Sequence, residues 1–297
     1  MSTSNHPFLP RKPSWLRRRL PSGADFEKIN DMIQKGRLHT VCQEAKCPNI
    51  WECFSHQTAT FLILGNRCTR NCRFCAVAHG PGEPVDPDEP ARLATAVSEM
   101  KLKYVVVTSV TRDDLPDGGA AHFAATIRAI KRKVFDAQVE VLIPDFQGDQ
   151  NALDTVLNAE PEVLNHNLET VPRLYKTARP EAVYERSLVL IQRVSTGKPN
   201  IPPKSGLMLG LGETESEILE TLSDLRKAGC RFLTLGQYLQ PSKNHLPVDR
   251  YVHPEEFDTW EKAAREMGFE RVASGPFVRS SYHAADLYRH TKGIHAI

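Results

Sequence analysis

This 297-residue chain has no apolar run approaching the ~18–20 residues that a bilayer crossing requires, so no membrane span is expected. A dominant charge is missing too. Its 38 Lys and Arg stand against 36 Asp and Glu, and a net charge of +2 calls for neither nucleic acid nor an anionic membrane. The basic N-terminus is followed by no apolar stretch, and Pro7, Pro10, Pro13 and Pro21 interrupt it, which argues against a secretory signal. Internal repeats and low-complexity tracts are also lacking. These absences favour the cytoplasm, a reducing compartment where cysteines serve metals or catalysis rather than disulfides. With 40% hydrophobic and 25% charged residues, the chain can bury the core of one large domain or two modest ones.

What is present is uneven. Six of the seven cysteines fall between residues 42 and 75, and the seventh, Cys230, is alone after Gly229 and reads as a core thiol. Arg11, Lys12, Arg17, Arg18 and Arg19 cluster near the start, as a solvated arm or a docking patch for an acidic protein. Residues 26–37 carry Phe26, Ile29 and Ile33 at helical spacing. From Thr60 onward, short β-type runs alternate with helical patterns. Strands are expected at Phe61–Leu64, Tyr104–Thr108, Val139–Ile143, Val163–Asn165, Leu207–Leu211 and Phe232–Leu235. Helices are expected over 89–101, 119–134, 150–158, 180–194, 214–229 and 254–267, with Arg271–Phe277 as a further strand. Six strand–helix units in series predict an α/β fold with a parallel sheet: a partial (β/α)6 barrel of the TIM type, with a doubly wound sheet as the alternative. The division expected is an N-terminal extension over 1–58, the barrel over 59–270 and a C-terminal segment over 271–297 that closes over the barrel mouth.

Cys68, Cys72 and Cys75 form C-x3-C-x2-C in the loop after the first strand. Soft thiolates suit iron–sulfur cubes, and three of them leave one of four irons open for chemistry. A zinc site closed by His79 or His56 is an alternative, as is a metal-free reactive cluster. Arg67, Arg70 and Arg73 surround the thiols and are expected to lower their pKa. With Phe74 before the last cysteine, the loop resembles the signature of the radical S-adenosylmethionine (SAM) superfamily. That resemblance implies a [4Fe–4S] cluster whose open iron is chelated by SAM, which is cleaved to yield a carbon radical. It also marks Gly118 and Gly119, after the second strand, as the superfamily's glycine loop contacting SAM, the alternative being an ordinary turn. Asn167 and Glu169, at an unusually polar strand end, become candidate SAM contacts, with helix capping as the alternative. Gly206 and its neighbours after the fifth strand either admit the adenosine or ease a turn.

Cys42, Cys47 and Cys53 form a second triad, C-x4-C-x5-C, whose polar flanks are unlike a buried core. The segment CQEAKCPNIWEC, with VTSVTRDDLPDGGA, NHNLET, KSGLMLGLGE and GPFVRSSYHA further on, closely resembles the lipoyl synthase family over residues 38–285. The resemblance implies an auxiliary [4Fe–4S] cluster on Cys42, Cys47 and Cys53, completed by Ser281 of the Arg279-Ser280-Ser281-Tyr282 motif. Residues alone would have made Ser281 part of a polar turn. The implied reaction is insertion of two sulfurs, at C6 and C8 of an octanoyl chain on a carrier lysine, with the auxiliary cluster as sulfur donor. Implied partners are octanoylated lipoyl carrier domains (2-oxoacid dehydrogenase E2 subunits and the glycine cleavage H protein), an electron donor such as flavodoxin or ferredoxin, and iron–sulfur carrier proteins. Two alternatives remain: a biotin-synthase-like sulfurtransferase, against which the upstream triad speaks, and a non-enzymatic iron–sulfur carrier.

Overall fold

The computed structural model describes residues 12–17, 24–47, 49–55 and 60–289. Seven strands, β1 (Thr60–Ile63), β2 (Tyr104–Ser109), β3 (Gln138–Leu142), β4 (Val163–Asn165), β5 (Pro203–Leu209), β6 (Phe232–Gln237) and β7 (Arg271–Gly275), pair in parallel in chain order. Helices α1 (Glu89–Glu99), α2 (Ala120–Lys133), α3 (Gln150–Leu157), α4 (Tyr184–Gly197), α5 (Glu215–Lys227) and α6 (Pro254–Glu266) form the crossovers. The strands are apolar on their helix-facing side, which is the pattern that crossover helices cover. β1 and β7 do not pair with one another, so the barrel is open. A two-residue strand, His39–Thr40, pairs antiparallel with β1 and covers that edge. No helix among the described residues is long and apolar enough to cross a membrane.

Local sequence accounts for the elements. In α5, Ile218, Leu222 and Leu225 form one fully buried face, Thr214 and Glu217 make a reciprocal capping box, and Gly229 ends the helix at φ 85°. In α6, Pro254 occupies the first turn and Phe257, Trp260 and Ala264 face the sheet. The lone Cys230 is fully buried and its thiol donates to the Phe232 carbonyl at 3.2 Å, as a core thiol should.

Three of the boundaries that differ from expectation have a local cause. β5 begins at Pro203, not Leu207, because Lys204 and Ser205 interrupt the apolar run yet are buried in the barrel. α4 begins at Tyr184 rather than 180, and the N-terminal helix runs Ala24–Lys35 rather than 26–37, since Arg37 turns to φ 47°.

The barrel interior is polar at its base. Lys204 Nζ donates to Glu140 Oε1 at 2.8 Å and the Tyr104 hydroxyl to Glu140 Oε2 at 2.6 Å, with both charges buried. A C-terminal helix, Ala284–Arg289, brings Tyr288 against Val163 and Phe232 and within 5.8 Å of the Tyr104 ring. Tyr104, Val163 and Phe232 each open a strand, so Tyr288 sits at the N-terminal end of the barrel.

Candidate active site

The C-terminal ends of the strands surround a cavity of about 380 Å³. This is where a βα barrel collects its functional loops. Thr60, Leu142, Gly206 and Thr234 reach it from β1, β3, β5 and β6. Phe74 and Cys75 reach it from the cysteine loop, and Asn167 and Glu169 from the end of β4. Cys42, Cys47 and Cys53 line it from the N-terminal segment, and Arg279, Ser280 and Ser281 from the C-terminal one. Lys12, from the N-terminal arm, also borders it. Arg17 is exposed; Arg11, Arg18, Arg19 and His56 lie outside the described residues.

The cysteine loop is anchored by a buried ion network. Arg70 donates to both oxygens of Asp113, at 2.6 and 3.0 Å, and to Asp145 at 2.5 Å, while Arg186 reaches the other Asp145 oxygen at 3.2 Å. Burial pushes the Asp145 carboxyl up, but the hydrogen bond and charge of Arg70 outweigh it and hold it at about 2. Thr69 and Thr111 add a backbone link, and the Thr111 amide donates to Cys68 Sγ at 3.3 Å. The arginines therefore do not act as expected. Arg70 is spent on Asp113 and Asp145, and burial pushes Cys72 up to about 12 and Cys75 up to about 11. The cation that favours the Cys72 thiolate is Arg179, which sequence reasoning missed. It is buried and donates to the Asn167 and Leu168 carbonyls at 2.8 and 3.0 Å.

Asn167 donates to Glu169 Oε1 at 3.1 Å and to Ser280 Oγ at 2.6 Å. Glu169 sits at φ 68°, a strained conformation for a residue with a side chain. Burial raises its carboxyl pKa despite Arg179. Buried Asn167 Oδ1 has no partner among the described residues, so the cavity wall carries a polar group ready for a ligand. Gly118 and Gly119 do not line the cavity. Both have positive φ, and a Cβ on either would collide with Phe146 or Leu64, so they pack the start of α2 against its neighbours. His166 is satisfied by the Ile143 carbonyl and Ser187 Oγ, each at 2.9 Å, which makes it a barrel residue.

The N- and C-terminal segments are stitched together beside the cavity. The Thr60 hydroxyl donates to Ser281 Oγ at 2.7 Å, Asn49 Nδ2 to the Phe277 carbonyl at 2.7 Å and the Tyr282 hydroxyl to Glu52 at 2.8 Å. Burial pushes Cys42 up to about 12, and hydrogen bonds from Thr60 counter this only in part. Thr60 thus touches both Cys42 and Ser281. Nothing in the sequence near Thr60, an ordinary strand start, signals that role.

The donor set fits iron–sulfur chemistry. Among the described residues no three His, Cys, Asp or Glu converge tightly enough for a single metal ion. Cys42, Cys47, Cys53 and Cys75 line one cavity and supply the soft thiolates that iron–sulfur clusters prefer. The buried thiols are held protonated by desolvation, and a cluster's own cationic irons would draw off those protons.

The fold and the first triad define the class. A family model described as the radical SAM superfamily matches residues 62–225, and one described as the N-terminal domain of lipoyl synthase of the radical SAM family matches residues 3–47. Solved structures of the same fold include Streptococcus suis SuiB bound to S-adenosylmethionine (TM-score 0.57, 10% identity, 84% of this chain and 60% of that one). The maturase HydG is another (TM-score 0.52, 16% identity, 91% and 75%). The chain is 55% identical to the lipoyl synthase of Syntrophotalea carbinolica, over 96% of its own length and 92% of that protein. It is 58% identical to that of Methylococcus capsulatus, over 92% and 85%. The chain belongs to the lipoyl synthase family of radical SAM enzymes.

Proposed function

We propose that this chain is a cytoplasmic sulfurtransferase that inserts two sulfur atoms, at C6 and C8, into an octanoyl chain carried on a lysine of a lipoyl carrier domain. One observation carries this reading: Cys42, Cys47, Cys53 and Ser281 line the same cavity as Cys75, Asn167 and Glu169. A sulfur source and a radical source facing one space is what attack on an unactivated carbon needs, because no general base removes protons from such carbons. Bound, the two [4Fe–4S] clusters and SAM supply a hydrogen-abstracting radical and sulfide.

The protein's own residues divide the work. Cys68, Cys72 and Cys75 hold the SAM cluster, and Arg70 with Asp113 and Asp145 fixes their loop. Asn167 and Glu169 offer SAM an amide oxygen and a carboxylate, with Phe74 packing beside them, and Gly118 and Gly119 shape the loop after β2. Cys42, Cys47 and Cys53 hold the auxiliary cluster with Ser281, whose oxygen is a harder ligand than thiolate and the easiest to displace. Residues 1–58 serve as the extension bearing this triad, 59–270 as the barrel and 271–297 as the closing segment. The exposed Arg17, with Arg18 and Arg19, assists docking of an acidic octanoylated E2 or H-protein domain. Flavodoxin or ferredoxin reduces the SAM cluster, and iron–sulfur carriers rebuild the auxiliary one.

The test is anaerobic turnover with an octanoylated carrier peptide, reading 5′-deoxyadenosine and lipoyl product by mass. Cys68→Ala is expected to abolish SAM cleavage, and Cys42→Ala to retain cleavage without product. Equal loss of cleavage in both would refute the division of labour.

A further inference from the structure

We propose that the outer face of the Cys68–Cys75 loop is the docking surface for a small acidic one-electron carrier protein. This rests on the proposed function and names where its reductant binds. The loop lies where three segments meet. The Arg73 amide donates to the Ala178 carbonyl at 2.9 Å, the Leu246 amide donates to the Arg73 carbonyl at 3.0 Å, and His245 Nε2 donates to the Cys75 carbonyl at 3.0 Å. Each segment adds an exposed cation: Arg73 from the loop, Lys176 from the turn of helix ending at Ala178, and Lys243 from the segment before Leu246. Arg67 and His79, on the short strand pair bracketing the loop, are exposed beside them.

Arg67, Arg73, Lys176 and Lys243 have no ion-pair partner among the described residues. Glu181, which accepts from the Asn71 amide at 3.4 Å, is an acidic group on the same face and only partly offsets it. Unpaired like charges gathered in one place raise the local potential and steer an oppositely charged partner.

Position supplies the second argument. Cys72, next in the chain to the exposed Arg73, is only half-buried and is not among the residues that line the cavity. A protein docked on this face is therefore beside the cysteine loop. The step is a bare electron transfer: the carrier loses one electron, the cluster on the loop gains it, and no bond or proton moves.

The experiment uses the full chain with both clusters reconstituted and a flavodoxin-type acidic carrier, comparing wild type with Lys176→Glu/Lys243→Glu. Calorimetric titration of the oxidised carrier is expected to show about tenfold weaker binding at low salt and a shallower salt dependence. Stopped-flow reduction by the reduced carrier should slow by about the same factor. Reduction by photoreduced deazaflavin should not change, and Lys176→Arg/Lys243→Arg should behave as wild type. Unchanged binding and salt dependence would overturn the proposal, as would slowing by both reductants, no carrier binding to the wild type, or weakened binding of the octanoylated domain instead. Product formed with deazaflavin tests the parent function separately.

Discussion

Lys204 and Glu140 put two opposite charges where no water reaches, beneath the active cavity. Removing one partner strands the other, and Lys204→Met is expected to cost about 3–5 kcal/mol in denaturant unfolding. Adding Glu140→Met should recover most of that, because an apolar pair removes the stranded charge; a double variant as unstable as the single would contradict this. His166 sets a pH dependence. Burial, then the nearby Arg179 charge, lowers its pKa from 6.5 to about 4. The unfolded chain takes up a proton below pH 6.5 that the native chain refuses until about pH 4. Stability is thus fully present above pH 6.5 and falls on acidification through that window, by up to about 1.4 kcal/mol per pH unit. Urea midpoints between pH 7 and 4 should fall less steeply in His166→Gln.

At the scale of elements, the cysteine loop depends on Arg70. Arg70→Gln leaves Asp145 buried beside a weaker partner, Arg186 at 3.2 Å. The expected result is a loss of about 3 kcal/mol in thermal or urea unfolding, with Cys68, Cys72 and Cys75 losing iron before the other triad does. Equal iron retention in both triads would show that the network does not position the loop. Much at this scale was legible in the sequence. Strands and helices repeat with clear periods, and the helix ends carry their caps, as Thr214 and Pro254 do. Lys204 hid the start of β5, since a lysine inside a strand reads as its edge unless its partner 64 residues away is known. The cysteine triads were visible as spacings because each falls within a short stretch of chain. Ser281 was not, because its link to Thr60 spans 221 residues, and only family resemblance marked it. Arg179 left no signal at all, since its contacts are with backbone carbonyls that any sequence provides.

Across the whole molecule, residues 49–60 and 277–282 are bonded to one another beside the cavity. Tyr288 closes the base of the barrel, and Tyr288→Ala should cost about 3–5 kcal/mol by opening a cavity beside Val163, Phe232 and Tyr104. A change below 1 kcal/mol in urea unfolding would show that the barrel is stable without this helix. The stitching of Asn49, Glu52 and Thr60 to Phe277, Tyr282 and Ser281 has a consequence in time. The first triad sits within one loop, although the bonds that hold that loop reach along the chain as far as Leu246. The bond from Thr60 to Ser281 spans 221 residues, so it cannot form until the chain has been made as far as Ser281. A chain that stops short of Phe277 would lack every partner of these three bonds, and the N-terminal segment would be left unfastened beside the cavity.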